Sequence, residues 1–227
     1  MKNIGIIIKK QIKDTMKNTA VLIQFFIFPI LTLFMENAID IEDMPSQYFV
    51  KLFSVMAIGM STTSVAVIIS EEKEKNTLRV LMMSNVKPWE YLMGIGIYVW
   101  TICMVGAGLM ATCVDSEDVV FYLGIMGVGY MLSILAGACV GIYAKNQMSA
   151  TSLAMPLMMI LGFLPMLALF NEKIKSIAKF FYTQQIRTIL DEMSFDSITR
   201  ESVIIVVVNM IVVIASFFIL FRKKGLE

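Results

Sequence analysis

Glu71, Glu72, Lys73, Glu74 and Lys75 form an unbroken ionisable run between two long apolar stretches. After it, Leu78, Leu81 and Met82 recur at i, i+3, i+4, the spacing of one face of a short helix over Thr77–Met83. Pro88 ends that patch, and Trp89 and Tyr91 stand where the next apolar stretch begins. Side chains of these types can grip a partner with charged groups set around an apolar knob. Catalysis is a different matter. Histidine, the usual general base and the commonest metal ligand, is absent. Cys103, Cys113 and Cys139 lie in apolar runs without CxxC spacing and read as buried free thiols. No GxxxxGK[ST], HExxH or GxSxG occurs, so no catalytic, cofactor-binding or metal-ligating residue is assigned.

The elements that position the charged run follow from composition. The chain is 58% hydrophobic and 16% charged, against about 45–50% and 25% in soluble domains. This is the balance of a membrane protein, and with no basic patch interleaved with aromatics it excludes a nucleic-acid partner. A hydrocarbon layer of about 30 Å needs about 20 apolar residues as helix. Six stretches qualify, over 20–39, 49–70, 91–114, 119–143, 150–170 and 202–221. The expected fold is all-α: residues 1–18 an amphipathic interfacial helix, 19–227 a six-span domain. The charged run falls in a loop at 71–90, and an outer helical segment at 171–201 separates spans five and six.

Lysine and arginine set the orientation. Lys2, Lys9, Lys10, Lys13 and Lys17 precede span one; Lys73, Lys75, Arg79 and Lys87 follow span two; Arg222, Lys223 and Lys224 follow span six. The opposite short loops are acidic: Asp40, Glu42 and Asp43, then Asp115, Glu117 and Asp118. Both termini and the charged loop are therefore expected in the cytoplasm. In the first 18 residues Ile4, Ile8, Ile12 and Met16 make a stripe beside Ile7, with the lysines largely elsewhere, as in an uncleaved helix lying in the membrane interface.

Within the spans, carboxylates fall only at the ends. An ion-coupled carrier, a voltage sensor and an intramembrane protease would each need buried ionisable groups. Glu36 sits near the outer end of span one, which also carries Pro29. Span two is the most polar, with Ser54, Ser61, Thr62, Thr63 and Ser64. These hydroxyls either pack helices together or, with Met155 and Pro156 of span five, line a pathway or a dimer seam. Spans three and four are glycine-rich, with a GxxxG at Gly137 and Gly141, and read as the tightly packed back of the bundle. Pro156 and Pro165 suggest that span five is bent or interrupted. Beyond it Phe170, Ile174, Ile177, Phe181 and Ile189 fit a helical stripe, read as a short interfacial or re-entrant hairpin. Asn209, the sole strongly polar residue of span six, is expected to bond between helices.

The stretch EEKEKNTLRVLMMSNVKPWEYLMG resembles the loop between the second and third spans of permeases in the type-2 ABC exporter family. Those permeases show E-(K/R)-E-x-G-T-L-E-x-L, then a polar step, P-V, and an acidic residue before G-K. Glu72, Lys73, Glu74, Thr77, Leu78 and Leu81 match, Val86 and Glu90 match loosely, and Gly94 sits at the glycine. Asn76 replaces the usual glycine, Arg79 an acidic residue, and Ile95 follows Gly94. Asparagine is the next-best residue for a left-handed backbone, so the turn is expected to survive. The segment from Gly162 through Pro165 and an aromatic patch to Arg187 is similar to the family's end of span five, without its usual second proline near Phe181 and Tyr182.

The resemblance implies a coupling helix that docks into a cleft of a separate ATPase subunit. Glu71, Glu72 and Glu74 would make polar contacts there, Asn76 and Thr77 the turn, and Leu78, Leu81 and Met82 the apolar knob. It further implies two ATPase subunits carrying ATP and Mg, a second permease chain (identical or related), and a bacterial cytoplasmic membrane. The cargo would be amphipathic or hydrophobic: a drug, an antibiotic peptide or a lipid, moved outward. The alternative is a membrane anchor, or an immunity or sensing subunit, that shares the fold without transporting.

Overall fold

The computed structural model describes residues 2–39 and 47–224. Ten α-helices follow one another among them: α1 (Lys2–Thr15), α2 (Thr19–Ala38), α3 (Tyr48–Glu74), α4 (Thr77–Met83), α5 (Pro88–Met110), α6 (Val119–Tyr143), α7 (Gln147–Leu167), α8 (Glu172–Ala178), α9 (Tyr182–Glu192) and α10 (Arg200–Lys224). No strand occurs among the described residues. Six of the helices (α2, α3, α5, α6, α7 and α10) are long and apolar enough to cross a membrane, within a few residues of the six expected spans. The acidic loop with Asp40, Glu42 and Asp43 lies outside the described residues.

The bundle is built around α3. Every residue from Ser61 to Ser70 is buried, and α2, α5, α6, α7 and α9 all pack on this helix. Small residues make that possible. A methyl group added to Gly141 would come 2.9 Å from the Ala66 carbonyl oxygen, one added to Gly59 would meet the Gly162 amide nitrogen at 3.2 Å, and one added to Gly137 would overlap the Thr62 carbonyl. The GxxxG of α6 is thus a close contact, but its partner is α3 rather than α5. Hydroxyls complete the packing. Ser54 bonds the Val50 carbonyl at 2.6 Å and the Tyr122 hydroxyl at 2.7 Å, and Ser64 reaches Gln24 Oε1 at 3.4 Å. Ser61, Thr62 and Ser64 are accordingly interior to this chain, as in the packing alternative rather than the pathway or dimer lining; Met155 and Pro156 on α7 are exposed.

Two further expectations change. Of the two possibilities for α7, interruption does not occur: the helix runs through Pro156 and Pro165, as membrane helices allow when neighbours satisfy the freed backbone groups. The face of α1 that packs on α5 carries Ile7, Gln11 and Thr15, all buried, while Ile12 and Met16 of the expected stripe are exposed. Ile7 lies against Gly94, where an added methyl would sit 2.7 Å from its Cγ2. Glu36, near the outer end of span one, accepts the Phe49 amide at 3.1 Å and so caps the first turn of α3. Asn209 does bond across elements, donating to the Phe180 carbonyl at 3.0 Å as well as to Ile205 of its own helix at 2.8 Å.

Candidate functional site

At about 1.5 Å per residue a 27-residue helix such as α3 is about 40 Å long, some 10 Å more than a hydrocarbon layer. Its last turn, Glu71–Glu74, therefore leaves the apolar zone, and the charges there meet the ends of neighbouring helices. Glu72, 5% exposed, accepts from Gln11 at 2.5 Å and from the Tyr91 hydroxyl at 2.5 Å, and pairs with Lys10. That carboxylate ties α3 to α1 and α5. Lys73 Nζ donates to the Ile142 carbonyl at 2.7 Å, at the C-terminal end of α6. Glu74 accepts the Gln147 amide at 2.9 Å, at the N-terminus of α7. An ammonium at a helix C-terminus and a carboxylate at a helix N-terminus both oppose the local end charge and are stabilising. Glu71 pairs with Lys75 one turn on, and that partner holds the exposed Lys75 ammonium above its usual pKa.

The charged run is therefore a hub. It fastens one helix end to four others, a role different from the purely outward contacts expected of it. Glu72 and Glu74 are engaged inside the chain; of the three carboxylates, Glu71 bonds only within its own turn among the described residues.

The turn after the hub forms as its sequence allows. Asn76 takes φ 57°, the left-handed region in which asparagine replaces glycine at least penalty. Helix α4 then ends in a Schellman motif: Val86 N–H donates to the Leu81 carbonyl at 3.3 Å and Asn85 N–H to the Met82 carbonyl at 3.2 Å, with Asn85 at φ 63°. Pro88 opens α5, and the Glu90 carboxylate accepts from the Lys87 amide at 3.0 Å and from Asn3 at 3.1 Å.

On α4 the apolar stripe turns inward. Leu78 is 1% exposed and sits in the core, with Leu81 and Met82 half-buried against it. This corrects the expected knob: an i, i+3, i+4 stripe on a seven-residue helix is what holds that helix to the bundle. The outward face carries Arg79, Val80 and Met83, with Val80 60% and Met83 80% exposed. Thr77 is half-buried, and Lys75 and Asn76 are exposed beside that face.

At the far end of the bundle two short helices, α8 and α9, occupy the segment read as an outer hairpin. Phe170 and Ile177 are exposed, and the chain turns extended at Phe181, doing the work of the missing proline. Arg187 is buried and donates to the Pro165 carbonyl at 3.2 Å, with Asp191 at 3.4 Å. It thereby satisfies a carbonyl near the end of α7, where Leu169 and Phe170 bond back only three residues. Ser133 and Tyr182 join α6 to α9 at 2.6 Å.

Six packed helices long and apolar enough to span a membrane, with the short helix α4 between the second and third, define a multi-pass membrane protein. The chain belongs to the ABC-2 family of transporter proteins, whose model, described as "ABC-2 family transporter protein", matches residues 3–222. No curated protein matches it.

Proposed function

We propose that this chain is the permease subunit of an ATP-driven exporter whose ATPase is a separate chain, and that it moves an amphipathic or hydrophobic substrate (a drug, an antibiotic peptide or a lipid) outward. The observation that carries this reading is the hub. Glu72, Lys73 and Glu74 bind the turn beneath α4 to α1, α5, α6 and α7, so force applied to α4 is delivered to the bundle as a unit. That is the requirement for access switched by rigid-body motion. The ATPase pair holds ATP and Mg, and each ATPase covers one outward face of α4, with Val80 and Met83 in its cleft and Arg79, Lys75 and the half-exposed Glu71 at the rim. Two permease chains, identical or related, meet along the exposed face of α7 that includes Met155 and Pro156. The charged loop at 71–90 and both termini lie on the cytoplasmic side of a bacterial membrane.

The test is co-purification of the chain with its ATPase, in which Val80→Glu together with Met83→Glu should weaken the complex on the order of tenfold or more, as for central apolar anchors. Assembly and ATP turnover equal to wild type would overturn the docking assignment.

A further inference from the structure

Between α1 and the neighbouring ends of α2 and α3 lies a cleft of about 500 Å³. Its floor is Val21 and Ile68, and its walls carry Lys10, Asp14, Lys17, Glu71, Glu72 and Lys75. Its depth is fixed by the two spans it adjoins. The apolar window of α2 opens at Val21, and α3 passes from Ile68 and Ile69 to Ser70 and Glu71. The cleft therefore stands where hydrocarbon gives way to lipid headgroups.

Its charges are arranged for a ligand bearing both signs. Lys75 is taken by Glu71 and Lys10 by Glu72. What remains is Lys17, which makes no ion pair among the described residues, and Asp14, whose nearest cation is the shared Lys10 at 3.6 Å. Lys17 and the start of α2, where Asn18 makes no side-chain cap bond, both line the cleft, so the ammonium and the partial positive charge of the helix end both favour an anion there. Asp14 lies one turn back along the chain. A phosphate at Lys17 and an ammonium at Asp14 satisfy both. The ammonium is a primary one: a quaternary ammonium is recognised by aromatic faces, and the cleft lining holds no aromatic residue.

We infer that this cleft binds the phosphoethanolamine headgroup of a membrane lipid, one per chain, wedged between the N-terminal helix and the hub. The inference stands apart from the transport reading, since it needs neither an ATPase nor a cargo. The delipidated chain is offered equal amounts of phosphatidylethanolamine, phosphatidylcholine and phosphatidylglycerol with identical acyl chains, and bound lipid is counted by native mass spectrometry. The phosphate is common to all three lipids, so the ammonium–Asp14 bond alone sets the preference, roughly tenfold for the ethanolamine lipid, saturating at one molecule. Asp14→Asn with Lys17→Ala should reduce that preference below about twofold; both side chains are exposed, and an unchanged unfolding midpoint verifies the fold. Equal binding of the choline lipid, a stronger preference for the glycerol lipid, or retention of the preference in the double variant would overturn the assignment. Soluble phosphoethanolamine should compete only in large excess; competition at lipid-like concentrations would move the site from a lipid to a free metabolite and refute the membrane source.

Discussion

Replacing Glu72 by alanine separates the hub from a docking surface. The carboxylate receives the Gln11 amide and the Tyr91 hydroxyl, both from buried residues, together with Lys10. Without it, two buried donors lose their acceptor, at about 1–3 kcal/mol each. Lys10 adds little, because its side chain is 28% exposed and keeps Asp14 at 3.6 Å, and exposed pairs contribute about 0–1 kcal/mol. The expected loss is about 2–6 kcal/mol. At about 2–4 °C per kcal/mol for a chain of this size, the unfolding midpoint of the purified chain in detergent should fall by roughly 4–24 °C. Glu71→Ala breaks only the pair with Lys75 and should shift the midpoint by no more than about 3 °C. Two adjacent glutamates thus give different answers from one assay. Coinciding midpoints, with ATPase binding lost only in the Glu72 variant, would refute the inward placement.

Two further outcomes follow from packing at other points of the bundle. Gly137→Ala forces α6 away from the Thr62 carbonyl and should cost about 1–3 kcal/mol, whereas Gly124→Ala meets nothing within 4 Å and should leave the unfolding midpoint unchanged or slightly raised; equal effects would contradict the α3–α6 contact. Arg187→Met removes the bond to the Pro165 carbonyl inside a buried site and should destabilise the chain by about 2–4 kcal/mol in the same assay, a loss absent if the arginine faces solvent.

The spans were legible because their signal is length times apolarity, which no tertiary detail alters. The left-handed turn at Asn76 was legible because it depends on one residue's backbone preference. The roles of Glu72 and Leu78 were not. A run of charges does not reveal which helix ends surround it, and only the fold brings Gln11, Tyr91, Ile142 and Gln147 around one turn. A short amphipathic stripe similarly does not say whether its apolar side meets a partner or its own bundle. For α1 the misleading signal was apolarity itself: the isoleucine stripe stayed partly exposed, while Gln11 and Thr15 were buried. Gln11 is there because the buried carboxylate of Glu72 needs donors more than hydrocarbon. The hydroxyls of span two met the same fate, drawn inward because small side chains let α6 and α7 approach α3.

The most direct test of the two faces of α4 is site-specific photocrosslinking in the membrane with its ATPase present, with the probe placed in turn at Val80, Met83 and Leu78. The probes at Val80 and Met83, on the exposed face of α4, should crosslink a P-loop ATPase chain. The probe at Leu78 should label only this chain. Crosslinking of the ATPase from Leu78, with none from Val80 or Met83, would contradict the account.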